Sequence, residues 1–176
     1  MAEHKPSRLW VMRSVYLGIA LLIPLLHLLP LTVGPRAWAP PDLLFALTYA
    51  WAVRRPEYVP ALAILLAVLL SDFLLQRPPG LWTAIVLVMI EWTKSRESRQ
   101  VETTLVLEWM SFGLVVVAAI LINRLVLLVS VTSTGAFSLA AIQAGATIAI
   151  YPLVVLVSHL IFQVRRTAPG DIEPYG

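Results

Sequence analysis

Between residues 14 and 164 the chain passes through long runs of leucine, valine, isoleucine and alanine that hold almost no charge. A run such as Leu-Gly-Ile-Ala-Leu-Leu-Ile-Pro-Leu-Leu-His-Leu-Leu-Pro-Leu is apolar on every side, so no helix made from it could turn a polar face to water. The charged share of 13% is about half that of a soluble domain. The chain therefore reads as an all-α, polytopic membrane protein. A transmembrane barrel is excluded because its strands need about ten residues of alternating polarity, and these runs do not alternate. With no cysteine in the sequence, disulfides, thiolate metal sites and a catalytic thiol are excluded as well.

Six segments can be marked, at residues 14–33, 42–53, 58–75, 81–92, 103–129 and 136–164. The second and fourth are short. At 1.5 Å per residue they reach about 18 Å against a hydrocarbon core of about 30 Å, so they are half-helices or spans completed by their proline-rich flanks. The fifth and sixth reach about 40 Å and must tilt or project. Pro152 is a candidate kink in the sixth.

The net charge of +3 matters less than its placement. If all six segments cross and the N-terminus is cytoplasmic, Lys5, Arg8, Arg13, Arg54, Arg55, Lys94, Arg96, Arg99, Arg165 and Arg166 fall inside. Arg36 and Arg77 fall outside, and Arg124 lies late in the fifth segment, where it can snorkel to the outer headgroups. Cytoplasmic loops of membrane proteins carry such an excess of Lys and Arg, so both termini are expected in the cytoplasm. A four-span alternative would leave Arg54 and Arg55 outside. Trp10, Trp38, Trp51, Trp82, Trp92 and Trp109 all fall near segment ends, where indoles favour the headgroup boundary. Short basic groups between apolar segments are a topology signal and not the clustered footprint of a nucleic-acid binder.

The expected organisation is a cytoplasmic tail at 1–12, a helical membrane domain at 13–166 and a cytoplasmic tail at 167–176. The Ala37-Trp38-Ala39 stretch resembles a signal cleavage site, but the preceding run is too long and Pro40 follows it, so the first segment is expected to stay as a span. The outer connections are too short to fold as domains.

Ionisable groups inside apolar segments are costly, and each is a candidate for function. Asp72 has two readings, capping the Pro-Pro-Gly turn that follows or contacting a partner; a proton relay would need several such groups in register. Glu91 and Glu108 either form buried ion pairs with Arg54, Arg55 or Lys94, tying helices together, or are solvated at wet span ends. The second reading is preferred. His27 and His159 are isolated and without metal-ligand spacing, so they are expected in hydrogen-bonded helix packing. Asn123 and Gln143 are expected to bond between helices. Two small-residue stripes, Ala63, Ala67 and Ser71, and Ala141, Gly145 and Ala149, permit close helix approach, with packing inside the chain preferred over a partner. No nucleophile elbow, phosphate loop or dinucleotide fingerprint occurs, so no enzymatic activity and no cofactor or metal are expected.

The segment 41–81 is the most specific part. It contains Pro41-Asp42-Leu43-Leu44, then Arg54-Arg55-Pro56-Glu57-Tyr58-Val59-Pro60, then Ser71-Asp72-Phe73, and then Arg77-Pro78-Pro79-Gly80. This resembles the rod shape-determining protein MreD family, of the alphaproteobacterial type: Pro-Asp opening the second span, a basic cytoplasmic turn, and a third span ending in Asp before a Pro/Gly turn. The chain departs from the family at Val68 and Gln76, where many members carry glycine. The resemblance implies a non-enzymatic inner-membrane component of the bacterial cell-elongation complex. It would bind MreC and couple cytoplasmic MreB to the peptidoglycan synthases RodA and penicillin-binding protein 2, in contact with membrane lipid. Its candidate contact or structural residues are Pro41, Asp42, Arg54, Arg55, Pro56, Glu57, Asp72, Pro79 and Gly80. The resemblance also implies a likeness in fold to the membrane substrate-binding subunits of vitamin importers. The competing class is thus a small-molecule-binding subunit of a transporter, which would need polar groups converging in mid-membrane.

Overall fold

The computed structural model describes residues 6–28, 39–97, 104–130 and 136–162. Its elements are α1 (Pro6–His27), α2 (Leu43–Arg54), a 3-10 turn (Pro56–Tyr58), α3 (Ala61–Leu74), α4 (Leu81–Glu97), α5 (Leu105–Val129) and α6 (Phe137–Phe162). No strand occurs among the described residues, as expected for an all-α chain. Among the described residues three helices are long and apolar enough to cross a membrane: α1 from Arg8, α5 and α6; α2 and α3 are shorter apolar helices. The chain is a helical, membrane-embedded protein.

Each expected segment corresponds to one helix, but the bounds differ: the third, expected at 58–75, is shorter, at Ala61–Leu74, because Tyr58 belongs to the 3-10 turn and the helix starts after Pro60, and two others are extended. α1 starts at Pro6, so Arg8 and Arg13 ride on a helix and the expected tail at 1–12 is helical from Pro6 onward. α4 has 17 residues and carries Lys94 and Arg96 in its last turn. Hydropathy marks the apolar part of a helix, whereas the backbone continues until a breaker or cap stops it. Proline at the first helical position costs no hydrogen bond, which suits Pro6 as a start. The end of the first segment at 29–33, Arg36, the Ala37-Trp38 pair, Lys5, Arg99, Arg165, Arg166 and the tail 167–176 lie outside the described residues.

The shortest α-helix sits at the centre. Ten of the 12 residues of α2, from Leu44 to Val53, are buried. It packs on α6, α4 and α1, while α1, α3, α4, α5 and α6 follow one another around it by neighbouring contacts. A helix of about 18 Å is too short to meet lipid on its own, but here protein encloses it, and protein can satisfy its ends. Side-chain contacts fix the directions. Asp42 meets Thr147, and Trp51 meets Ser158, so α2 and α6 run together from an Asp42 end to an Arg54 end.

Aromatic rings fill the space between α2, α5 and α6. Phe112 stacks on Tyr151 at 4.3 Å between centroids and lies 5.0 Å from Tyr49. Phe45 meets Phe112 and Trp82 edge-on. Trp51 is fully buried against Tyr16 and Phe162, with its Nε1 donating to Ser158 Oγ at 3.1 Å. That corrects its expected place at the headgroup boundary: α2 is interior, so its end lies in protein. Trp10, Trp92 and Trp109 do stand exposed near helix ends.

The two small-residue stripes part company. Ala63, Ala67 and Ser71 are buried on α3, which packs on α1 and α4. Ala141, Gly145 and Ala149 are exposed, correcting the expectation of internal packing, and a Cβ at Gly145 would meet nothing within 4 Å. The reason is the face of α6 that is used: Thr147, Tyr151, Val155 and Ser158 point inward.

Pro152 lies inside α6 and removes the N–H that would bond Ile148 O. That carbonyl instead accepts the indole N–H of Trp109 at 2.7 Å. A backbone acceptor left open at membrane depth is thereby satisfied by the neighbouring helix. Trp109→Phe keeps an aromatic ring, though a smaller one, and loses the donor; it is expected to cost roughly 1 kcal/mol, read as a lower thermal unfolding midpoint in detergent.

Candidate functional site

Polar side chains collect at the two ends of α2, and the residues of the 41–81 motif supply most of them. At the Asp42 end, Pro41 O accepts the N–H of Leu43, and the Asp42 side chain caps α2 by accepting from Phe45 N at 3.0 Å. Its second oxygen takes the indole of Trp82 at 3.2 Å and the guanidinium of Arg77 at 3.4 Å, while its own N–H donates to Thr147 Oγ1. One residue thus joins α2, the α3–α4 turn, α4 and α6.

Asp72 shapes the α3–α4 turn through both its backbone and its side chain. The Arg77 N–H donates to Asp72 O and the Gln76 N–H to Phe73 O, which is a Schellman ending for α3. Gln76 takes the left-handed position of that ending, at φ 54°, where glycine is normally favoured. The departure at Gln76 therefore keeps the turn at some local cost. At the start of α4 the capping position falls on Gly80, at φ 86°, which has no side chain to offer. Asp72 Oδ2 takes over, accepting from Gly80 N at 3.1 Å, Thr83 N at 3.1 Å and Thr83 Oγ1 at 2.7 Å. Pro79, exposed, leads into this cap. Asp72 is fully buried, and its Oδ1 has no hydrogen-bond partner among the described residues. The other departure, Val68, is buried in the α3 packing face.

At the Arg54 end, Glu108 lies 3% exposed and accepts from Arg54 Nη1 at 2.5 Å and from the Tyr151 hydroxyl. This joins α2, α5 and α6 and corrects the preferred expectation of a solvated Glu108. Burial follows from spacing: Glu108 continues the inward face of Phe112, Val115, Val116 and Ala119. Glu91 differs, being half-exposed and paired at 2.7 Å with Lys94 one turn away. Lys94 Nζ also donates to Val59 O at 2.5 Å, tying α4 to the turn below α2. Arg55 reaches Glu57 at 3.4 Å, Arg13 Nε donates to Glu57 O at 2.9 Å, and Pro56 opens the 3-10 turn between them.

Two recesses flank these layers. At the Asp42 end a cleft of about 220 Å³ between α4, α5 and α6 is lined by Arg77, Arg124, Asn123 and Gln143. Asn123 and Gln143 bond to no other described helix, which corrects the interhelical bonds expected of them. At the Arg54 end a groove beside Pro152 holds His159 and Leu105. His27 is half-buried in the last turn of α1. Neither histidine ring shows a hydrogen bond among the described residues, contrary to expectation, and no three His, Asp or Glu residues gather among them as a metal site would require. Sequence reasoning passed over Tyr151, Thr147, Ser158 and Thr48. The three on α6 had a signal in their hydroxyl stripe at helical spacing; Thr48, which bonds Tyr16 at 3.0 Å between α1 and α2, had none.

Comparisons of the chain with protein-family models, with curated proteins and with solved structures found no match.

Proposed function

We propose that the chain is an MreD-type, non-enzymatic scaffold of the bacterial cell-elongation complex in the inner membrane. The observation that carries this reading is what the motif does. Asp42, Arg54 and Asp72, three of the charged residues on which the resemblance rests, close on other helices of the same chain around α2, while Arg55 reaches its near neighbour Glu57. Such a motif builds a rigid support, and charges committed to bonds of this kind are poorly placed to turn over a substrate. Six crossings with both termini cytoplasmic fit the charge pattern: among the described residues Arg8, Arg13, Arg54, Arg55, Lys94 and Arg96 lie at the Arg54 end, against Arg77 and Arg124 at the other.

The contact with MreC belongs on α6. Its exposed Ala141, Gly145 and Ala149 permit the close backbone approach that a single transmembrane helix needs. The basic Arg54 end would face anionic lipid and the MreB side of the complex, with RodA and penicillin-binding protein 2 held in the same assembly. The competing reading, a small-molecule-binding transporter subunit, needs polar groups converging at mid-depth. The described core there is mainly aromatic and aliphatic, which favours the scaffold.

Because the chain has no cysteine, one introduced at Gly145 is a unique thiol. At native expression it is expected to crosslink to the MreC transmembrane helix, whereas a cysteine at Phe73, exposed on α3, is not. Gly145→Leu is expected to leave the amount of chain in the membrane unchanged, abolish the crosslink made from Ala149→Cys, and round rod-shaped host cells. Unchanged crosslinking and cell shape would sink the assignment.

A further inference from the structure

We propose, resting on the six-crossing reading above, that the α3–α4 face docks a bilayer thinned to about 20 Å of hydrocarbon, so that the protein sets a step in membrane thickness between its two sides. Unlike α2, α3 is not enclosed. It packs on α1 and α4 through Ala63, Ala67 and Ser71, and Leu62, Leu65, Leu66, Leu70 and Phe73 stand exposed along its length. Its 14 residues rise about 21 Å, which is about 9 Å less than an ordinary hydrocarbon core. The flanks do not lengthen it. Before α3, Val59 is buried and Glu57 sits in the 3-10 turn; after it, Gln76 is exposed and Arg77 follows. α4 repeats the short measure, rising only about 15 Å from Leu81 to Ile90 before Glu91 is reached.

Bonds between the two helices hold their polar levels together. Lys94 Nζ, paired with Glu91, donates to Val59 O at 2.5 Å just ahead of α3, and at the other end Asp72 Oδ2 accepts from Gly80 N at 3.1 Å where α4 begins. A span this short is accommodated by snorkelling flanks, self-association or a thinner bilayer, and tilt would only shorten it further. Snorkelling is closed off, because the charged ends are drawn back onto the protein: Lys94 onto Val59 O, and Arg77 onto Asp42 at 3.4 Å and over the Trp82 ring at 5.7 Å. Self-association is poorly served too. The small residues that would let a second helix approach closely, Ala63, Ala67 and Ser71, are already used inside. The opposite side of the molecule is long, since the 25 residues of α5 and the 26 of α6 rise about 37 and 39 Å and match an ordinary bilayer with some tilt.

The test uses the full chain, in which any introduced cysteine is unique. Spin labels are placed at Leu62→Cys, Leu66→Cys and Phe73→Cys on α3 and at Leu114→Cys and Leu121→Cys, exposed on α5, in dioleoylphosphatidylcholine vesicles at a high lipid-to-protein ratio. Access of a water-soluble nickel chelate is read against that of oxygen. The labels at Leu62 and Phe73, about 16 Å apart along the axis, are both expected at headgroup level, with nickel access about fivefold that at Leu114 and Leu121. Access at Leu62 or Phe73 as low as at Leu114 overturns the proposal, because the bilayer then keeps its thickness past α3. Dipolar broadening between Leu66 labels also overturns it, since a second copy then covers the face, and so does a protein adduct from a photocrosslinker at Leu66 in native membranes. The crossing itself is read separately. An impermeant maleimide is expected to label Pro78→Cys in spheroplasts and Arg96→Cys only after lysis, both positions being exposed. Labelling of both from one side removes the crossing and the proposal with it, whereas labelling from opposite sides with low nickel access at Leu62 and Phe73 overturns the thinning alone.

Discussion

Glu108→Leu is expected to destabilise the fold by about 3–5 kcal/mol, because it leaves the Arg54 charge buried with its partner gone. The Tyr151 hydroxyl loses its acceptor in the same step. The double variant Arg54→Met, Glu108→Leu is expected to recover most of that loss, since replacing a buried ion pair by apolar groups of similar volume is often close to neutral. The measurement is the thermal midpoint of the detergent-solubilised chain followed by loss of the monodisperse peak. If the single and double variants are equally impaired, the pair does more than hold helices together. Recovery in the double variant places Glu108 in the packing of α2, α5 and α6, where its distances already put it.

The second large effect is at Asp72. Removing the acceptor in Asp72→Ala strands the N–H groups of Gly80 and Thr83 and the Thr83 hydroxyl, at an expected cost of about 2–4 kcal/mol. Asp72→Asn keeps one carbonyl oxygen in the place of Oδ2, and all three bonds converge on Oδ2. Asparagine is thus expected to cost about 1 kcal/mol or less, read by the same thermal midpoint. A cap tolerates the loss of charge, whereas a site that depends on charge does not. An asparagine variant as impaired as the alanine one would therefore reassign Asp72 to ion or proton chemistry through its unpartnered Oδ1.

The sequence makes the membrane environment and the approximate positions of all six helices legible, because contiguous apolar runs between basic groups have few other solutions. The place of α2 is harder to read. A 12-residue apolar stretch is equally consistent with a half-helix, a re-entrant segment or an enclosed helix, and only its neighbours decide between them. Glu108 and Trp51 were assigned to the boundary by a rule about depth, but depth does not say whether a neighbouring helix covers the residue. The 3.6-residue period did carry that information for Glu108, through Phe112, Val115 and Ala119. The α6 stripe misled for a related reason: small residues mark a face that can be approached closely, without saying whether the approaching helix is in the same chain. Asp72 was legible only in part: the Pro-Pro-Gly turn that follows it suggests a capping role, and the sequence left that open beside a partner contact.

The enclosed position of α2 also orders the making of the protein. Asp42 and Trp51 take partners more than a hundred residues further along the chain, in Thr147 and Ser158. When a ribosome has delivered only the first half of the chain, α2 is an 18 Å segment with a carboxylate at one end, two arginines at the other, and no wall on its α6 side. Native closure waits for the last helix to be inserted, in keeping with the slow formation of contacts distant in sequence. Until then the α6-facing side of α2, with the Asp42 N–H and the Trp51 indole, lacks the partners that complete it.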